Sequence, residues 1–158
     1  MELSRILIVD DNQEIREIIH ILLGGEGFCI EEADDGQRAL DLTSKMDFDL
    51  LILDIMMPGI NGYQTCIEIR KNSNAPILFL SARTKDSDKT LGFSSGGDDY
   101  LAKPFSYNEL ISRSKALIRR YQVYKGKEEL KAPGDELSSG AGMALDADMT
   151  EDAGREAF

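Results

Sequence analysis

Five short apolar runs, separated by stretches with helical spacing, constrain this chain more than any other feature. The runs are residues 6–9, 28–30, 50–53, 77–80 and 100–102. Each is only three or four residues long and rich in Ile, Leu, Val or aromatic residues, as strands buried on both faces tend to be. After the first run, Ile15, Ile18, Ile19, Leu22 and Leu23 recur at helical spacing, and Gly24-Gly25 closes that helix. Ala39, Leu40 and Thr43 mark a second helix. Cys66, Ile67 and Ile69 lie in a third that starts near Asn61, and residues 87–93 form a weaker fourth. Leu110, Ile111, Ser114, Leu117 and Ile118 make a strong fifth, capped by Ser106 or Asn108, and the pattern stops after Arg120. Five strand–helix alternations predict an α/β fold: a doubly wound, five-stranded parallel sheet. In such sheets function gathers at the carboxyl ends of the strands, near the topological switch point.

Length and charge bound the rest. A chain of 158 residues suits one ordinary domain with a remainder. The net charge of −11 disfavours direct binding to nucleic acid. Residues 126–158 carry nine acidic and three basic side chains among Gly, Ala and Ser. Too few large apolar residues stand there to bury much surface. The expected division is a domain over residues 1–122 and a linker or acidic disordered tail over 123–158, native or appended. Cys29 and Cys66 lack metal-ligand spacing and read as reduced thiols of the core. No apolar run approaches the roughly 18 residues of a membrane span. The first strand meets Asp10 at once, with no signal peptide before it. The expectation is a soluble cytoplasmic protein.

Polar residues fall where the runs end. Asp10-Asp11 follow the first, Asp54 the third, Ser81 the fourth, and Lys103 the fifth. Adjacent carboxylates at the end of a buried strand repel unless a cation joins them, and hard oxygen donors suit Mg²⁺. The bland alternative is a solvated turn in which Asp11 or Asn12 caps the first helix. Asp54 is a third metal ligand, a nucleophile, both, or a turn residue ahead of Met56-Met57-Pro58-Gly59, with Gly62 adding flexibility. Ser81 has a hydroxyl able to donate to a phosphoryl oxygen. Lys103 is a compact point charge, and its bond to Pro104 is a candidate cis peptide that would set the lysine's direction. Singly these are weak signals. In order along one alternating pattern, they describe an acidic pocket suited to moving a phosphoryl group onto an aspartate.

The text Ile6-Leu7-Ile8-Val9-Asp10-Asp11, Asp54-Ile55-Met56-Met57-Pro58-Gly59 with Gly62, Ser81-Ala82-Arg83, and Asp98-Asp99-Tyr100-Leu101-Ala102-Lys103-Pro104-Phe105 strongly resembles the response-regulator receiver domain of bacterial two-component signalling. The resemblance covers about residues 3–121. It implies a flavodoxin-like sheet of strand order 2-1-3-4-5. It implies Asp54 as phospho-acceptor from a sensor histidine kinase. Mg²⁺ would sit on Asp11, Asp54 and the Met56 carbonyl, with Asp10 acting through water, while Ser81 and Lys103 contact the phosphoryl group. Such a domain catalyses its own phosphorylation and dephosphorylation without being a turnover enzyme. Ser81 and Tyr100 would form the switch, both moving inward on phosphorylation.

The Asp98-Asp99-Tyr100 and Glu109…Arg113…Arg120 text looks like the subfamily whose output is a winged-helix (OmpR/PhoB-like) transcription factor. Its receivers form homodimers when phosphorylated. The matching charges are Lys89, Asp98, Asp99, Glu109, Arg113 and Arg120, with cross-subunit pairs Lys89–Glu109, Asp99–Arg113 and Asp98–Arg120. Without the resemblance these are ordinary surface charges. Ser94-Ser95-Gly96-Gly97 departs from the usual apolar text and shortens the expected fourth helix. Residues 126–158 cannot form a winged helix, so DNA would be reached only through an output domain absent from this chain. The alternative is a stand-alone receiver acting by protein–protein interaction or phosphorelay.

Other classes fit the residues less well. A flavodoxin-like cofactor carrier needs a phosphate cradle after the first strand, where Asp10-Asp11-Asn12 would repel phosphate. A pseudo-receiver lacks one of the acids or the lysine, and none is missing. An aspartate-nucleophile phosphatase wants a second acid where Met56 stands. The resemblance also implies that the side chains two past acceptor and hydroxyl, here Met56 and Arg83, tune water's access to the acyl phosphate; neither orients water well, so a fairly long-lived phosphoryl state is expected. His20, the only histidine, reads as a helix-surface residue.

Overall fold

The computed structural model describes residues 3–82 and 94–130, the last three as backbone only. Five strands pair in parallel in the order β2-β1-β3-β4-β5: β1 Arg5–Val9, β2 Cys29–Ala33, β3 Leu50–Asp54, β4 Ile77–Ser81 and β5 Asp99–Ala102. Helices α1 Gln13–Gly24, α2 Gly36–Lys45, α3 Gly62–Arg70 and α4 Tyr107–Leu130 complete the described elements. The expected helix over residues 87–93 lies outside the described residues, so the expected fifth helix is α4.

The sheet is buried from both sides, which is why its strands read as continuous apolar runs. One face presents Leu7, Val9, Leu51, Leu53, Ile77 and Phe79 to the α2 and α3 side chains Ala39, Leu42, Cys66 and Ile69. The other presents Ile6, Ile8, Leu50, Ile52, Leu78 and Leu80 to Ile19 and Leu23 of α1 and to Leu110, Leu117 and Ile118 of α4. Alternation along each strand thus feeds two cores. The chain changes face after β1, so the carboxyl ends of β1 and β3 flank the switch point.

Polar side chains open each helix. Asn12 accepts from the N–H groups of Glu14 (2.9 Å) and Ile15 (3.3 Å), deciding between the two cap candidates there. Asp35 accepts from Arg38 N–H at 2.7 Å. Asn61 and Gln64 form a reciprocal capping box, each accepting from the other's backbone N–H at 2.9 Å. At α4 the cap is Ser106, whose hydroxyl accepts from Glu109 N–H at 3.3 Å; Asn108 lies inside the helix. The helix does not stop after Arg120. It runs to Leu130, because Gln122, Lys125 and Lys127 sustain a helix without burying a face. The described residues up to Tyr121 belong to one compact unit. No helix among the described residues is long and apolar enough to cross a membrane.

Two smaller expectations change. Cys66 is buried, but Cys29 at the start of β2 is only half-buried. Gly62 is needed for closeness rather than flexibility: a Cβ there would stand 2.4 Å from the Asp54 carbonyl oxygen and 2.9 Å from Ile55 Cα. Its N–H donates to the Ile55 carbonyl at 2.9 Å, seating the start of α3 against the end of β3.

Candidate functional site

The carboxyl ends of β1 and β3 bring Asp10, Asp11 and Asp54 together, with one oxygen from each within 4.8 Å of the others. Asp10 is fully buried and Asp54 is 4% exposed, whereas Asp11 faces solvent. Burying two carboxylates side by side is unfavourable without cations. Among the described residues, Lys103 is the cation that meets them both. Its Nζ lies 2.9 Å from Asp10 Oδ2 and 3.3 Å from Asp54 Oδ1. The other Asp10 oxygen accepts from Asn12 N–H at 2.9 Å. One lysine does not balance the group. Burial pushes the Asp54 carboxyl up to about 6, the Asp10 charge adds to this, and Lys103 and a Met56 backbone N–H oppose it.

Lys103 follows β5 and donates its backbone N–H to the Ser81 carbonyl at 2.8 Å, which ties the ends of β4 and β5. The Lys103–Pro104 peptide is cis. Ser81 is buried at the last position of β4. Met56 stands beside the pocket, 54% exposed. Tyr100 is buried in the core on the α3 side of the sheet, the side on which Tyr63 meets Phe79 edge-on at 5.3 Å. Arg83 and Lys89 lie outside the described residues.

The donor set fits a hard divalent cation. Three carboxylates converge, two of them buried, with a charge deficit that one lysine leaves open. All-oxygen donors with one side open to water suit Mg²⁺, which holds few protein ligands and keeps its waters.

The charges at the β5 edge are arranged differently. Arg113 NH1 donates to both Asp99 oxygens, at 2.8 and 2.9 Å, and its NH2 meets Glu109 at 3.1 Å. Asp98 Oδ2 accepts from Arg70 NH2 at 2.7 Å and from Ile77 N–H at 2.8 Å. Residues expected to pair between subunits thus pair within one chain. Arg120 is exposed, its charge acting on Asp98 at longer range.

A scan against family models matches the response regulator receiver domain over residues 6–115. The chain belongs to the response regulator receiver domain family. It is 51% identical to the transcriptional regulatory protein YrkP of Bacillus subtilis over 125 residues, 79% of this chain and 54% of that protein. It is 47% identical to a CpxR homolog of Haemophilus influenzae, covering 75% of this chain and 52% of that protein. The receiver chain thus spans about half the length of these curated relatives. Among solved structures, the receiver domain of Francisella response regulator 1452 superposes with a TM-score of 0.71 at 37% identity, covering 74% of this chain and 98% of that one. The response regulator TrrA of Thermotoga maritima, in complex with Mg²⁺-BeF, gives 0.67 at 38% identity, covering 73% and 99%.

One residue that the sequence pattern does not mark also reaches the site. Arg16 of α1 donates to the Asp10 carbonyl at 2.6 Å and to Glu32 of β2 at 3.0 Å. Nothing in the helical spacing marks Arg16, because its partners lie on another strand and on a turn.

Proposed function

We propose that this receiver accepts a phosphoryl group on Asp54 from a phosphohistidine of a sensor kinase. The observation that carries the proposal is the undercharged pocket: among the described residues, buried Asp10 and Asp54, with Asp11, share one lysine. An Asp54 oxygen forms the bond to phosphorus as the N–P bond of the donor breaks, its electron pair leaving with the imidazole. Asp10, Asp11, Asp54 and the Met56 carbonyl would hold Mg²⁺, which offsets the charge of the incoming group when bound. The TrrA complex with Mg²⁺-BeF supports that assignment by similarity. Lys103 provides a fixed positive charge for phosphoryl oxygens, and the Ser81 hydroxyl donates to one of them.

Ser81 and Tyr100 act as the switch. The phosphorylated state pairs two copies through Lys89, Asp98, Asp99, Glu109, Arg113 and Arg120, which requires Asp98 and Asp99 to exchange their internal partners. Residues 1–122 are the receiver and 123–158 a linker or acidic tail. The output is transcription control in the cytoplasm, through a DNA-binding domain outside this sequence; that the half-matched relatives are named transcriptional regulatory proteins supports the transcriptional part. The test is intact-protein mass after incubation with acetyl phosphate. One added phosphoryl group, lost without Mg²⁺ and lost in Asp54→Asn, is expected. No gain under any condition would contradict the proposal.

A further inference from the structure

Arg16 is embedded against the acidic pocket without belonging to it. Its side chain is 15% exposed. Its NH1 donates to the Asp10 carbonyl at 2.6 Å, and its Nε to Glu32 Oε1 at 3.0 Å. The second Glu32 oxygen lies 2.6 Å from His20 Nδ1. Burial raises the Glu32 carboxyl, but its hydrogen bonds and charge contacts with His20 and Arg16 outweigh this and hold it below the ordinary value. Glu32 is therefore an ionised anchor for the guanidinium.

The Asp10 carbonyl matters because of where it sits. Strand β1 ends at Val9, and Asp10 donates its own N–H to the Ala33 carbonyl at 3.2 Å. Beyond it the chain turns, and the next residues open α1. Among the described residues, Arg16 NH1 is the side-chain donor that meets this carbonyl. A buried carbonyl stripped of its partner carries a desolvation penalty, and the turn would rotate to find another donor. That turn carries both Asp10 and Asp11. We infer that Arg16, locked by Glu32, is a positioning residue that sets the β1–α1 turn and so the Mg²⁺ affinity of the acidic pocket.

The inference rests on the metal-binding reading of Asp10, Asp11 and Asp54. Partners that orient metal ligands typically contribute 10–100-fold to affinity. A competing effect has the opposite sign. Arg16 is a cation near an acidic site, so if it acted by charge alone its removal would tighten Mg²⁺ binding. Sign therefore separates positioning from field. Arg16→Lys separates them further, since it keeps the charge and loses the planar fork that spans two acceptors.

The experiment is calorimetric titration with Mg²⁺ alone on the parent, Arg16→Met, Arg16→Lys, Glu32→Gln and the Arg16→Met/Glu32→Gln double variant. Circular dichroism establishes that each is folded at the working temperature. Arg70→Met is the control for stability alone. Arg70 donates to the Gly96, Ser73 and Ala75 carbonyls and to Asp98, all remote from the pocket. Expected are affinities about tenfold weaker or more in both Arg16 variants, a smaller loss in Glu32→Gln, and no further loss in the double variant. Arg70→Met should keep the parent affinity. Unchanged or tighter binding in the Arg16 variants, with the parent binding Mg²⁺, would overturn the inference and leave the proposed function standing. Losses in the Arg16 variants matched by Arg70→Met would also overturn it. A parent that binds no Mg²⁺ would take down both.

Discussion

The pocket at the ends of β1 and β3 and the charged edge around β5 contain similar residues in opposite states of balance. At the edge Asp98 meets Arg70, and Asp99 shares the broad donor fork of Arg113 with the exposed Glu109. In the pocket Asp10 and Asp54 share Lys103, and Asp11 faces water. The edge is the better paired of the two, although burial still raises the Asp98 carboxyl against its partners, and the Asp99–Arg113 pair joins β5 to α4. The pocket carries a deficit of positive charge that a divalent cation would remove. Matched charges fix structure, and unmatched buried charges mark the place where chemistry is possible.

Substitutions sharpen that difference. Lys103→Met removes the one ammonium that, among the described residues, bridges the two buried acids. It should lower stability by on the order of 3 kcal/mol at neutral pH in urea titration, since the remaining charges lose their partner. It should also slow phosphoryl transfer from acetyl phosphate by about 100-fold or more.

Asp54→Asn should do the reverse to stability. The Asp54 carboxyl titrates near 6 in the fold, above its ordinary 3.8, so the folded protein holds that proton more tightly than the unfolded chain. The ionised group thus destabilises the fold. That penalty is absent below about pH 4, grows through pH 6 and is complete above it. In EDTA the variant should be more stable than the parent by up to about 3 kcal/mol at pH 7, with the difference vanishing towards pH 4. A parent whose stability relative to the variant did not fall between those values would show the pocket to be balanced after all.

At the edge, Arg113→Ala should destabilise by about 1–2 kcal/mol, through Asp99 left half-buried with the Tyr100 N–H but without the guanidinium. The urea midpoint reads this. A gain in stability would mean that the edge, too, is strained. Smaller still, Ser114→Ala should raise stability by about 0.5–1 kcal/mol. The buried Ser114 hydroxyl has no hydrogen-bond partner among the described residues, and its removal leaves a better helix former. Met56→Asn, at an exposed position, should leave stability unchanged and shorten the lifetime of the phosphorylated state several-fold, read by the decay of the added mass. A lifetime that did not change would remove water access at Met56 from the mechanism.

Much of this was legible in the sequence because parallel strands put their ends on one edge. Five apolar runs predict five strands, and the residue after each run then lands at the carboxyl edge whatever the details of packing. Asp10, Asp11, Asp54, Ser81 and Lys103 are found by that rule. What escaped depends on contacts between elements. The closeness of Gly62 to the Asp54 carbonyl is set by how α3 meets β3, and no local pattern encodes it. Arg16 sits in a helix whose periodicity concerns its apolar face, while its partners are a turn carbonyl and a residue of β2. The extension of α4 past Arg120 was missed because apolar spacing reports burial, and an exposed helical stretch carries no such spacing.

The most direct measurement is to locate the phosphoryl group. The protein would be treated with acetyl phosphate and Mg²⁺ and reduced with borohydride, which converts an aspartyl phosphate to homoserine. Peptide mass mapping then reads the position. Homoserine at position 54, dependent on Mg²⁺, is the expected result. Homoserine at position 10 or 11, or a phosphoryl group that resists reduction on another side chain, would contradict the assignment of Asp54 as the acceptor.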